Sequence, residues 1–507
     1  MASDRREQGK RSERAPLEWS TALARLWSVA TPDGSAHRPE WTVAPALGWF
    51  ALALVAILIV EDGGLGALTR LITRAPDAHV TAGPGFVGQT ASPAADDAAP
   101  VLPPKPDLAP TPREAGGGGS PPASVPGKTV EDICADPIGA TTGCKRWSMD
   151  GFYAALAAAE AGSARAPVRV SFYGDSVSAS DALPGRLRAR LQDVFGDGGP
   201  GFVHAVQPHR FNHTLAVDRT STGSWQSWGV SLAPVADDLY GVGNATAEGA
   251  GRIKLKPKTP SGKLAKVDLY YLAHPRGGTV ELKIDGKVEA TLDTVAAQKE
   301  ARFHALTVAD AAHEVELTVT RGRVRLFGFA LERAAGIVVD NMALVSCTAR
   351  NMLNNLAEHW TAQLAHRAPD LVVIMLGTNE AQWLAGTKAM TEYERQWEQL
   401  LGPVRAGRPR AACLVMAPLD SAELKDDKLV SRPIDRLVAA QRKAAQALGC
   451  AYWDTYTWMG GKGSAAKWNK KGLLGSDFAH MSNKGSAKVA DGLADALFNG
   501  YKAYKAR

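Results

Sequence analysis

Three polar side chains fall where a parallel α/β architecture collects chemistry. Ser176 closes the short β-rich run VRVSFYGDS (168–176). Gly174 allows a sharp turn there, so the serine would project from the rim of a sheet. A serine hydroxyl is a weak nucleophile until a neighbouring base takes its proton. The best candidate base is His480, in SDFAHMSNKG (476–485). Asp477, three residues earlier, could accept the imidazole Nδ1–H, orienting the ring and stabilising imidazolium. Ser482 could cap the helix that follows. A tetrahedral oxyanion needs donors too. LGTNE (376–380) ends another strand-like run, and its Asn379 amide could donate beside the Ser176 backbone N–H. Alone, GDS is a turn with a helix cap, and D-x-x-H is weaker still. In chain order they point to nucleophilic acyl chemistry, which needs no metal or cofactor, and none is expected. His204, His209 and His213 cluster loosely, but no carboxylate spacing supports a metal site.

These residues need a frame. Apolar runs at 168–176, 336–344, 370–380, 411–419 and 451–458 alternate with helix-like stretches, among them 184–195, 387–401, 433–448 and 483–498. Continuous apolar strands alternating with helices predict a parallel sheet covered on both faces. The middle has another rhythm. VELKIDGKVEATL (280–292) alternates around Asp285-Gly286, and VELTVTRGRVRLFGFALE (315–332) repeats this around Arg321-Gly322. An antiparallel β-sandwich over 218–335 is therefore expected between two parts of an α/β domain, 129–217 and 336–507. Trp225, Trp228 and Tyr240 border the insert, where they could stack on sugar rings or fill a core.

The order strand–GDS, strand–GTNE, then D-x-x-H before a last helix resembles the SGNH, or GDSL-type, hydrolases over about 168–217 and 336–500. More narrowly, YGDSVSASD, RLRARLQDVFGDGGPGFV (186–203), a β insert and LGTNEA are similar to peptidoglycan O-acetylesterase-type members. Those members carry an inserted carbohydrate-binding-like β domain. The resemblance implies Ser176 as nucleophile, His480 as base, Asp477 as orienting acid and Asn379 as oxyanion donor. It also implies an SGNH-like α/β fold and an acetylated polysaccharide of the envelope, such as peptidoglycan, as substrate. Such members usually show L-G-x-N-G after the second strand, and the last glycine supplies an oxyanion N–H. Here the stretch is MALVSCTAR (342–350), with Ser346 in the glycine's place. A backbone N–H survives, but a side chain enters the site, and any need for positive φ would strain it. The expected activity is that of a serine esterase working through an acetyl-serine. The same residues would serve an O-acetyltransferase if a sugar hydroxyl replaced water. A non-catalytic glycan-binding protein is the remaining class; the altered 342–350 stretch favours it and the intact Ser176, Asp477 and His480 oppose it. No G-x-S-x-G elbow surrounds Ser176.

The 507 residues are too many for one compact core. Residues 41–60, WTVAPALGWFALALVAILIV, hold no charge and as a helix would rise about 30 Å, a hydrocarbon thickness. Seven Lys/Arg precede them, and Glu61 and Asp62 follow. The positive-inside rule then makes 1–40 cytoplasmic, 41–60 a single-pass anchor in the inner membrane, and the rest periplasmic. A cleaved signal peptide is the alternative. Residues 61–128 are rich in Pro, Gly and Ala, with GGGG at 116–119, and read as a semi-extended tether. Outside the cytoplasm Cys134 and Cys144 are expected to form a disulfide. Cys347, Cys413 and Cys450 sit beside apolar runs and read as small buried hydrophobes. A net charge of +6 is mild for this size and makes no case for nucleic acid.

Overall fold

The computed structural model describes residues 100–110, 127–138, 143–258, 260–384 and 387–507. The segment 1–40 and the anchor expected at 41–60 lie outside the described residues. Among the described residues no helix is long and apolar enough to cross a membrane.

The chain opens with β1 (Cys134–Ile138) and β2 (Gly143–Trp147), followed by α1 (Asp150–Glu160), β3 (Val168–Gly174), α2 (Ser176–Ala179), α3 (Ala182–Phe195) and β4 (Gly201–His204). Eight strands come next: β5 (Val217–Gly229), β6 (Ala245–Pro257), β7 (Lys263–Ala273), β8 (Thr279–Ile284), β9 (Lys287–Asp293), β10 (Glu300–Ala312), β11 (Val315–Arg321) and β12 (Val324–Glu332). The alternation of strand and helix then resumes with β13 (Ile337–Asn341), α4 (Ala349–Met352), α5 (Ala357–Arg367), β14 (Leu371–Met375), α6 (Thr387–Gly407) and β15 (Ala412–Met416). The last elements are the hairpin β16 (Ala422–Lys425) and β17 (Lys428–Ser431), α7 (Ile434–Ala447), β18 (Ala451–Trp453), α8 (Thr455–Met459), α9 (Ser464–Lys470) and α10 (Asn483–Lys505).

Five strands form a parallel sheet in the order β13-β3-β14-β15-β18. Side chains alternate between its faces. Val170, Phe172, Val373, Met375 and Leu414 point into a core closed by α1, α3 and α10. Tyr173, Val372, Ile374, Cys413 and Val415 point to the opposite core, closed by α5, α6 and α7. This two-sided burial is why the strands read as unbroken apolar runs. Neighbouring strands also bring Cys413, on β15, to Cys450, just before β18. They form a disulfide with Cα atoms 4.7 Å apart, which corrects the reading of both as free hydrophobes. Cys347 is the buried free thiol among the described residues. Cys134 and Cys144 are disulfide-bonded across β1 and β2.

The insert departs from the expected sandwich of two sheets. Its strands form one hydrogen-bonded, nine-stranded antiparallel sheet that also takes in β4. The long strand β6 explains this. Its first half pairs with β12 and its second half with β11, so one ladder joins both groups of strands. Gly223 and Gly251 face each other on β5 and β6 with φ of +104° and +143°, and a Cβ on Gly251 would lie 2.0 Å from the Thr222 carbonyl oxygen. The strands on either side of Arg321-Gly322 turn but do not pair, because β6 lies between them. Asp285-Gly286 does join a true hairpin, β8 to β9.

The insert is built into the α/β part rather than hung from it. Phe202, Tyr240, Val242, Tyr270 and Phe327 share one apolar core with Tyr173, Trp360 and Val372. Tyr173 Oη and Trp360 Nε1 both donate to the Val242 carbonyl, at 2.9 and 3.1 Å. A buried charge network crosses the same seam. Arg367 donates to Asp340 at 2.7 and 2.9 Å and also binds Glu332, which Arg169 holds through two contacts of 2.8 Å.

Part of the expected tether is docked. Leu108 packs on the core beneath α3 and α10. Arg186 of α3 donates to the Pro100 and Val101 carbonyls and pairs with Asp491 of α10.

Candidate active site

In chain order the five parallel strands run 2-1-3-4-5, so the connections diverge between β3 and β14. In such sheets a crevice opens at that switch point, beyond the carboxyl ends of the strands. β3 ends at Gly174. Asp175 caps α2 by accepting the Val177 N–H at 3.0 Å, and Ser176 is the first residue of that short helix. A Cβ on Gly174 would lie 3.1–3.3 Å from Ser178 and the Met375 carbonyl oxygen, so bare backbone suits this position. β14 runs on through Gly377, with φ of +126°, to Asn379.

His480 reaches the crevice from a loop closed by Leu474 and Met481. Ser482 caps α10 by accepting the Gly485 N–H and anchors the loop by donating to the Gly472 carbonyl. The Ser176 hydroxyl is 2.8 Å from His480 Nε2. The other ring nitrogen, Nδ1, is 2.6 Å from Asp477 Oδ2. Asp477 Oδ1 also accepts the backbone N–H groups of Ala479 and His480, at 3.1 and 3.0 Å. Between the two, Phe478 holds a left-handed φ of +54°. Burial disfavours the charged imidazole, but the hydrogen bond and charge of Asp477, with the charge of Asp175, outweigh it and raise the pKa of His480. Burial likewise pushes the Asp477 carboxyl up, and the bond to His480 prevails and lowers it to about 2. Ser176, His480 and Asp477 thus form one relay.

The oxyanion candidates lie in the loops after β13 and β14. The loop after β13 is held to β3 by Leu344 N–H donating to the Gly174 carbonyl at 3.0 Å. Asn379 Nδ2 donates to the Cys347 carbonyl at 2.9 Å, leaving its second N–H unengaged in that bond. Ser346 is exposed and has φ of +59°. A serine therefore adopts the left-handed conformation that a glycine there would allow, and its backbone remains in place. The insert braces this loop through Ser231, whose hydroxyl donates to the Val345 carbonyl at 2.8 Å.

Sequence reasoning passed over three residues. Glu380 is buried directly after Asn379 and accepts the Ala349 N–H at 2.9 Å; burial lifts its pKa to about 8. It ties the Asn379 turn to α4, and the final letter of GTNE was its only trace. Asp175 is fully buried, with its pKa raised by burial. Arg432 donates its backbone N–H to the Ser421 carbonyl at 2.9 Å. Of the three histidines, His204 is buried in β4 against the Gly243 carbonyl, and burial lowers its pKa to about 4. Tyr240 is fully buried, while Trp225 and Trp228 pack half-buried on apolar cores.

Residues 309–488 match the model of the GDSL-like lipase/acylhydrolase family. The chain carries a GDSL-type ester hydrolase domain. The matched stretch of this hydrolase contains Ser346, Asn379, Asp477 and His480. Ser176 precedes it, separated by the insert. Among solved structures, a peptidoglycan O-acetylesterase aligns with a TM-score of 0.60 and 23% identity, over 70% of this chain and 96% of that one. The hydrolase therefore shares its fold, antiparallel sheet included. Two further solved structures align more loosely. One is a family two carbohydrate esterase from Clostridium thermocellum in complex with cellohexaose (TM-score 0.24, 13% identity, 50% of this chain and 95% of that one). The other is a salicylyl-acyltransferase from a tetracycline biosynthetic pathway (0.25, 12%, 58% and 94%). No curated protein matches the sequence.

Proposed function

We propose that this hydrolase removes O-acetyl groups from an envelope polysaccharide such as peptidoglycan, outside the cytoplasm and anchored by residues 41–60. The observation that carries the reading is the relay of 2.6 and 2.8 Å from Asp477 through His480 to Ser176. In the reaction His480 Nε2 takes the Ser176 proton as Oγ attacks the acetyl carbonyl. Asp477 holds the Nδ1–H and stabilises the imidazolium. The oxyanion meets the Asn379 amide and the backbone N–H groups of Ser176 and Ser346. The imidazolium then protonates the leaving sugar oxygen, giving an acetyl-serine. Water, deprotonated by His480, releases acetate and restores the serine.

The likeness to a peptidoglycan O-acetylesterase supports the choice of substrate. Two disulfides support an oxidising compartment. The test is acetate release by the purified protein from O-acetylated peptidoglycan, set against other acetylated polysaccharides and a neutral aryl acetate. Release from the aryl ester alone would overturn the glycan reading.

A further inference from the structure

We propose that Arg432 is an anion-binding residue beside the catalytic relay, recognising a carboxylate that the acetylated sugar carries near its ester. This rests on the glycan-esterase reading and narrows its substrate class. Arg432 follows the hairpin β16–β17, and its backbone N–H donates to the Ser421 carbonyl at 2.9 Å. At the same base the Ala422 N–H donates to the carbonyl of Phe478 at 3.2 Å. Phe478 lies between Asp477 and His480, so the hairpin base and the catalytic loop are bonded backbone to backbone.

The guanidinium is unusual in this protein. Its Nε and Nη1 are shielded from solvent, yet they have no hydrogen-bond partner among the described residues. Arg188, Arg325 and Arg367 are more deeply buried, and each holds a carboxylate, whereas the half-buried Arg432 holds none through these two nitrogens. An arginine cannot shed its charge, and a shielded cation without a counter-ion is costly. The neighbouring acids are engaged elsewhere. Glu423 pairs with Lys425 and Asp477 with His480, each at 2.6 Å. Both act on Arg432 only as nearby charges. The Ser421 hydroxyl is also buried without a partner. The two residues are joined by that backbone bond, and each keeps an unsatisfied side-chain donor. A planar guanidinium fork matches the two oxygens of a carboxylate.

The placement also bears on the reaction. The charge of Arg432 works against protonation of His480. A bound carboxylate would cancel that opposition as the imidazolium forms, so a substrate with the anion gains in the transition state as well as in binding.

The experiment uses the full-length protein and pairs of acetylated sugars that differ only in a free carboxylate or its methyl ester. One pair carries a lactyl ether and the other is a uronate. Wild type is expected to favour the free acid of at least one pair by about 10–100-fold in kcat/KM, the scale of one charge-assisted contact. Arg432→Gln should lose that preference, and Arg432→Lys should keep part of it. On a neutral aryl acetate, the acid limb of the Arg432→Gln profile should move to higher pH, because a cation beside His480 is gone. The lysine variant retains a charge and serves as the test if the glutamine variant does not fold. Equal use of acid and ester by wild type, or a preference that survives Arg432→Gln, overturns the proposal. Cleavage of the aryl acetate without release from any acetylated glycan would instead overturn the substrate reading on which it rests.

Discussion

Ser176, His480 and Asp477 are joined by hydrogen bonds of 2.8 and 2.6 Å, so their substitutions should not add. Ser176→Ala, His480→Ala and Asp477→Asn should each lower turnover on an aryl acetate by orders of magnitude, and the triple variant should be little worse than Ser176→Ala. The pH profile follows from the direction of the His480 shift. The ring must be neutral to accept the serine proton, and its pKa is raised above the ordinary 6.5. Activity should therefore fall on the acid side with a midpoint above 6.5, and Asp477→Asn should move that midpoint down. Ser346→Gly removes a left-handed serine but adds backbone freedom, each worth roughly 1 kcal/mol. The two oppose, so kcat/KM should stay within about tenfold. Asn379→Ala removes a donor and should cost about 10²-fold or more. If Ser346→Gly abolishes turnover and Asn379→Ala does not, the oxyanion assignment is wrong. The relay was legible because each member sits where an element changes type, at short fixed spacing. Glu380 and Arg432 were not, since burial gives them their character. The Cys413–Cys450 pair needed the order of β15 and β18, which periodicity does not reveal.

Among the elements, continuous apolar runs disclosed the five parallel strands, and the shift to alternation disclosed the insert. The sequence misled where a turn was taken for a pairing. Arg321-Gly322 reverses the chain, but only the whole sheet decides that β6 lies between the strands it joins. Nor could the sequence show that the seam between insert and α/β part carries buried charge, because its partners are far apart in the chain. Removing one member should be severe. Arg367→Met takes the arginine from Asp340 and one of two from Glu332, and should cost about 3–5 kcal/mol, read as a lower urea midpoint. The seam should also fail in acid. Burial pushes the Glu332 carboxyl up, but Arg367 and Arg169 overcome it and lower it to about 2. Its contribution should be complete above about 4.5 and lost as pH falls toward 2. A urea midpoint that Arg367→Met leaves unchanged would remove the seam from the stability of the fold.

At the scale of the whole molecule, the run at 41–60 predicts that everything after it lies outside the cytoplasm. A reporter enzyme active only in the periplasm, fused after residue 127, should be active; cytoplasmic activity would sink both anchor and envelope substrate. The sequence read 61–128 as free tether, and the docking of 100–110 on α3 and α10 shortens it. The seam has a further consequence, measured in time. The nucleophile strand β3 pairs with β13 and β14 only after the whole insert has been made. Arg169 on that strand finds Glu332 at the insert's last strand residue. At roughly 5–20 residues per second, ribosomal synthesis keeps β3 waiting for about 8–30 seconds. For that interval an apolar strand has two bare edges, and closing so long a loop makes its pairing slow. Nascent chains should be most prone to aggregation while the insert is being made, so a chaperone that shields β3 would be needed then rather than after release.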